Sequence, residues 1–394
     1  MSGPLETTDL QPRRVARAVT IMALLGVAVG AAATAVGLRT DPAGAWRGLF
    51  INFLFWGSLA QGAVVWSVAF RIARTTWSAS INRMGHAFVP FLPVGVVLFA
   101  ALSLGRGFLL PWLGMPLGDR GWWLNAPFLW VRDGGALVLL WILSAVFVRT
   151  YRRADRPGAD AARADHRLSV VGVVLLFAYG WLWSLLGFDL VQSLTQPWHS
   201  ALFGWYFAVG GLYLGMAALI VTAAATRTWL GVRGEVGRGQ FLDLGNLLLA
   251  CAMVMTYFMF SQALPIWYGN LPPETGYPIL RVHFQPWQTL CWVLLFTGYL
   301  GVFALLVIRE MKERAATLTA VALLALAAMW LERYLLVMPS LGGRGTACCA
   351  PTVSLLLAPG FLGVLVLVVS SSLARHPAPS PLDLALKAEQ EAWL

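Results

Sequence analysis

Long apolar runs separated by short polar or basic connections set the pattern of this chain. Ten of them occupy positions up to 38, 46–70, 87–105, 127–148, 168–188, 198–225, 243–269, 286–308, 315–338 and 352–373. At 1.5 Å rise per residue, each is long enough to cross a hydrocarbon layer roughly 30 Å thick. The pattern predicts an all-α polytopic membrane protein with ten transmembrane helices. It forms one integral membrane domain over 1–394, with a short tail at 1–16 and a second at 374–394. Arg13, Arg14 and Arg17 precede the first run as they would in a signal peptide, but the run is too long for a signal core and reads as an uncleaved first helix. No soluble domain is inserted. The longest connection on the outer side, 106–126, is rich in Gly, Pro and Trp and reads as a lid or docking surface.

The most informative stretch runs from Asp243 to Arg281. About 26 mostly apolar residues, about 39 Å of helix, open on an acid and end at Pro272-Pro273, where a loop is expected. At 100° per residue, Asn246, Tyr257, Ser261 and Tyr268 share one face, a polar stripe along the whole helix. Pro265 lacks an N–H and presses on the Ser261 carbonyl, which predicts a kink and a freed acceptor there.

Composition narrows the class. With 59% hydrophobic residues, 12% charged and a mean hydropathy of +0.71, a soluble fold would leave too much apolar surface in water. The net charge of +10 would suit nucleic acid or an anionic surface, but the charges sit between the helices. Of the 28 Lys and Arg, 20 fall on the side that holds both termini, which places the termini in the cytoplasm by the positive-inside rule. Tryptophans gather at predicted helix ends, as with Trp46, Trp122, Trp123, Trp198, Trp229, Trp267 and Trp287, where an indole can be half wet.

Cofactor chemistry is not written in the motifs. The four cysteines form no CxxC or CxxCH; Cys251 and Cys291 read as small buried hydrophobes, and Cys348-Cys349 lies in a loop. A haem-b subunit needs histidines at matched depth on facing helices. Here His86 and His199 lie at opposite faces, and His166, His283 and His376 lie in loops or tail. Nucleotide-binding loops and metal-ligand spacings are absent. The expectation is that this chain binds no metal and no redox cofactor of its own.

Ionisable groups inside a span are functional candidates by default. Arg132 and Asp133 lie in the fourth span, Glu332 and Arg333 in the ninth, Asp189 ends the fifth and His199 begins the sixth, all toward the outer side. Asp243 and His86 stand at span starts on the cytoplasmic side, where an acid also suits the helix dipole. Two readings are open. Asp133 with Arg333, and Glu332 with Arg132, are cross-helix pairs that hold the bundle together. Alternatively Asp133, Glu332, Asp189 and His199 form an outward proton-handling cluster with the arginines as charge partners. A path between the two sides would run through Gln61, Tyr179, Ser184, Tyr206, Tyr213, Thr256, Tyr257 and Thr297, and through water.

These residues also carry a resemblance. DLG at 243–245, FSQ at 260–262, IWYGN at 266–270 and Pro272, Glu274 and Thr275 resemble the ten-helix membrane subunit of alternative complex III known as the ActF type, within the polysulfide-reductase (NrfD-like) superfamily. NFLFWG from Asn52, then Trp77, Arg83, Leu92-Pro93, Leu124-Asn125, Arg132, Asp189, Ser193-Leu194, Trp198, Ser200, Phe203-Gly204 and Met338-Pro339-Ser340 extend it in order over most of the chain. Glu332 stands where the family tends to have aspartate. His86 departs from an expected glutamate and Asn246 from an expected basic residue, both on the cytoplasmic side.

The resemblance implies two four-helix bundles, spans 2 to 5 and 6 to 9, with spans 1 and 10 peripheral. It implies a bacterial inner membrane and a quinol-oxidising complex that delivers electrons to cytochrome c or a terminal oxidase. The implied partners are a homologous quinol-binding membrane subunit, an iron–sulfur protein and c-type cytochrome subunits, which would hold the haem c and iron–sulfur clusters. Within it, this chain would anchor the complex and move protons. Whether it meets quinol or menaquinol itself is left open, with Trp130, Trp198 and His199 as the residues available. A secondary transporter and a purely structural anchor are the competing classes. Pro93 and Pro265 would break the third and seventh spans as in a transporter's repeats, but at different depths.

Overall fold

The computed structural model describes residues 14–75, 77–155, 161–342 and 352–376. Nearly all of the two tails and the Cys348-Cys349 pair lie outside these residues. Among the described residues, ten helices are long and apolar enough to cross a membrane. They are α1 (Arg17–Thr40), α2 (Pro42–Ile72), α3 (Ala79–Leu109), α4 (Ala126–Ala154) and α5 (Ala161–Leu190), followed by α6 (Phe203–Thr226), α7 (Arg238–Gly269), α8 (Trp287–Val307), α9 (Ala315–Gly342) and α10 (Thr352–Arg375). The protein is an all-α polytopic membrane protein.

The helix at the centre is α2, not the α7 stretch that dominates the sequence. Its apolar window is 94% buried, and it packs against α1, α3, α5, α6, α9 and α10. Its closest neighbour is α6. A Cβ added to Gly62 would lie 2.0 Å from the Gly211 carbonyl oxygen, and one added to Gly215 would lie 2.2 Å from the Gly62 carbonyl carbon. Small residues four apart let two backbones meet where lipid supplies no hydrophobic drive between helices. α1 and α10 use the same device: Gly26 and Gly30 face Pro359 and Gly360, leaving Met22 and Val36 exposed outward.

Two connections expected as loops are helical. Within 71–86, Ala79–His86 forms a helix with Ser80, Asn82, Arg83 and His86 buried. Its charges are paired, which is why they leave water. Arg83 bonds Asp155, and Asp165 accepts from Arg71 and Arg74, each at 2.9 Å. Past Pro272 the chain forms the Pro272–Val282 helix, since a proline at the first helical position has no N–H to lose and a φ already suited to the turn. This helix covers Trp198 and packs against the first turns of α8, and both Trp198 and Trp287 are fully buried, against the expectation of half-wet ends.

α8 departs from regular geometry. Leu294–Gly301 is π-helical, and Tyr299 is buried within it. The last turns of α8, Val302–Val307, pack on α7, whereas its first turns, Trp287–Val293, pack on the Pro272–Val282 helix and α9. α7 and α8 therefore splay apart toward the Pro272–Val282 helix that joins them.

Candidate functional site: two acid and arginine clusters and a lateral cavity

Of the predicted span charges, Asp133, Asp189, Glu332 and Arg333 are buried and Arg132 is nearly so, and they form two clusters that share no partner. In the first, the Arg132 guanidinium reaches Asp189 at 2.7 Å through a terminal nitrogen and at 3.0 Å through Nε. The Trp123 indole donates to the other Asp189 oxygen at 2.8 Å, and Arg132 stacks over the Trp123 ring at 3.9 Å. Part of the 106–126 connection thus lies over this cluster. Asp133 is wholly buried 3.5 Å from Arg132, and neither of its oxygens accepts a hydrogen bond among the described residues. Two carboxyl groups share one guanidinium, so the cluster is electroneutral only when one acid holds a proton.

The second cluster is built on α9. Glu332 Oε2 accepts from Arg333 at 2.8 Å, and Oε1 accepts from the Tyr206 hydroxyl at 2.5 Å. Tyr206 is in turn 2.9 Å from the Tyr299 hydroxyl. Arg333 is completely buried over the Phe207 ring at 4.3 Å. Room for it comes from Gly210, where a Cβ would sit 2.8 Å from a guanidinium nitrogen.

The cross-helix pairs expected from sequence, Asp133 with Arg333 and Glu332 with Arg132, do not form. Arg132 finds Asp189 on the adjacent α5, and Arg333 folds back to its own neighbour, a reach its long side chain allows. His199 joins neither cluster. It is exposed, with Nδ1 3.4 Å from the Pro197 carbonyl. Trp130 packs on Phe99 at 4.7 Å, and Trp198 stacks on Tyr277 at 3.7 Å with ring planes 9° apart.

At the start of α7, Asp243 lines a groove of about 370 Å³ with Trp66, Trp77 and Asn246. The basic group expected at position 246 comes from elsewhere. Lys312 donates to the Asn246 side chain at 2.8 Å, over Gly245, where a Cβ would meet the lysine stem at 2.7 Å. His86 is buried against Tyr151 at 4.6 Å with no hydrogen bond to either ring nitrogen among the described residues.

The polar stripe of α7 turns outward, with Tyr257 63% and Tyr268 86% exposed. Several mid-span hydroxyls are spent on their own helices: Ser184, Thr256 and Thr297 each bond the carbonyl four residues earlier. Tyr179 bonds the Ala208 carbonyl at 2.6 Å, and Gln61 meets Ser144 at 3.3 Å. Tyr206 alone of that set touches a buried acid.

Arg281 and Tyr299 were not singled out in the sequence, yet both stand at the second cluster. Arg281 is buried in the Pro272–Val282 helix, donating to the Leu335 and Leu336 carbonyls at 3.1 Å, to the Tyr277 carbonyl at 3.0 Å and to Ser340 at 2.9 Å. Burial holds its pKa below the ordinary arginine value and pushes that of Tyr277 up. The readable signal is Pro339, which cannot serve the Leu335 carbonyl and so calls for an outside donor. Around these residues lies a cavity of about 360 Å³, walled by α6, α7, α8, α9 and the Pro272–Val282 helix, with Glu332, Tyr206, Tyr299 and Arg281 at its polar end.

No protein-family model matches this chain, and a search of curated proteins finds no match.

Proposed function

We propose that this chain is an integral membrane subunit of a quinol:cytochrome c or quinol:terminal-oxidase oxidoreductase of the alternative complex III type. It anchors that complex, supports quinol oxidation and translocates protons through its buried acids. The observation that carries the reading is Glu332, buried in a span, bonded to Arg333 and continued by two tyrosine hydroxyls to the edge of a cavity. A carboxyl group kept in a low-dielectric interior by partners that can donate or accept is the arrangement proton handling requires. Asp133 and Asp189, sharing Arg132, form a second such site toward the same side.

In this reading the haem c and iron–sulfur clusters belong to partners: c-type cytochrome subunits, an iron–sulfur protein and a homologous quinol-binding membrane subunit. The complex sits in the bacterial inner membrane with both termini of this chain cytoplasmic, which the bias of 20 among 28 basic residues supports.

Blue-native electrophoresis of solubilised membranes tests it. Co-migration with haem-staining and iron–sulfur subunits is expected, and within that complex Glu332→Gln lowers the number of protons moved per electron while the band persists. A lone, colourless band would favour the transporter or the bare anchor and end the proposal.

A further inference from the structure

We infer that the cavity between α7, α8 and α9 is a binding site for the ring of a lipid-soluble quinone or quinol, entered sideways from the bilayer; this deepens the proposed function and rests on it. At about 360 Å³ the cavity lies in the range of about 300–1,000 Å³ usual for small-molecule sites. Its position decides what can reach it. It fills the splay of α7 and α8, and two of its wall residues, Trp292 and Val282, are 50% and 40% exposed on the outer surface. Phe260, Leu264 and Phe296, each next in sequence to a wall residue, are also exposed. An opening framed by apolar side chains on a membrane-spanning surface admits a molecule dissolved in lipid.

The inner end decides what such a molecule must carry. Tyr206, Tyr299, Glu332 and Arg281 all line it, and all are buried. An acyl chain gains nothing from a carboxyl group, two phenols and a guanidinium, whose burial against hydrocarbon is costly. A flat ring bearing two oxygens suits these groups: a quinol hydroxyl donates to Glu332, and a quinone carbonyl accepts from a tyrosine or Arg281. The stacked Trp198 and Tyr277 rings form a further wall, suited to a planar ligand. The π-helical segment of α8 supplies Leu294, Leu295 and Tyr299 to the lining, and such wide turns concentrate at functional sites.

The test uses the native complex in lipid nanodiscs, irradiated with a photoactivatable azido-quinone and mapped by peptide mass spectrometry. Label is expected on peptides covering 259–266, 277–282 or 291–299, displaced by excess unlabelled quinone. Ala263→Trp, at an exposed wall position, should reduce that labelling by about tenfold or more with the assembled complex retained. Leu295→Trp replaces it if assembly fails. Label confined to other subunits, or unmoved by the blocking tryptophan, overturns the inference. So does displacement by phospholipid in place of quinone, with a photoactivatable phosphatidylcholine marking the same peptides. Co-migration with haem subunits is scored separately: complex present with the cavity unlabelled sinks this inference alone, and cavity labelled in a partner-free chain sinks the assignment to the complex.

Discussion

Arg281 donates through Nε to the Leu335 carbonyl at 3.1 Å, the acceptor that Pro339 deprives of its helical partner. An arginine of the connecting Pro272–Val282 helix thus repairs the backbone of a membrane-spanning helix one turn from Glu332. Arg281→Met leaves the Leu335 carbonyl buried without a donor, since Leu336 keeps the Ser340 N–H of its own helix. Unfolding in detergent should show a loss of about 1–3 kcal/mol. In a Pro339→Ala background the loss shrinks, because an alanine N–H serves Leu335 again. Equal losses in both backgrounds would show that Arg281 acts some other way.

Tyr206 touches Glu332 directly, whereas the described bond of Tyr299 goes to Tyr206. If the proposed function holds, Tyr206→Phe should therefore lower quinol-dependent turnover of that complex by roughly tenfold, the worth of one hydrogen bond to a charged group. Tyr299→Phe should have the smaller effect. Steady-state turnover, normalised to haem content, measures both. The reverse order would mean that protons reach Glu332 by a different route.

How much of this was legible depended on what a one-dimensional pattern can carry. Run length marks a span because the hydrocarbon thickness is fixed, and the ten helices follow. Glu332, Asp133 and Arg132 stood out because charge inside a span is conspicuous. Their partners did not, since partnership depends on how each helix is rotated. Asp189 was read as a neighbour by depth alone, and the bond to Tyr206 needs α6 and α9 to face each other. The α7 stripe shows the same limit: spacing aligned Asn246, Tyr257 and Tyr268 on one face but could not say that the face turns outward. Ala79–His86 was hidden because Arg83 looked solvated until Asp155 came to meet it. Gly62 and Gly215 carry no side chain to read, though they set the central crossing.

Glu313 ties the start of α7 to the connection before α9. Its carboxylate accepts from Arg238 Nε at 2.8 Å and from Arg309 Nε at 2.7 Å, and these bonds hold its pKa below the ordinary glutamate value. A lowered folded-state pKa means that the unfolded chain takes up the proton first as pH falls. The contribution is thus complete above the ordinary range near pH 4.3 and is lost as pH drops through the lowered value. Thermal unfolding of the wild type in detergent should weaken through that window, and Glu313→Gln should flatten the dependence there. An unchanged pH profile in the variant would assign the acid sensitivity to other carboxylates.

Asp133 and Glu332 occupy separate clusters, one closed by Arg132 and Asp189, the other by Arg333 and Tyr206. Groups with no shared partner add independently, within about 0.5 kcal/mol. The stability losses of Asp133→Asn and Glu332→Gln should therefore sum in the double variant. Arg132→Met and Asp189→Asn, which break the same pair, should fall well short of additivity, since removing either partner already leaves the other charge buried alone. Coupling between Asp133 and Glu332 as strong as that within the Arg132 pair would instead join the two acids in one network. Under the proposed function, that coupling would replace two separate proton-handling sites with a single one.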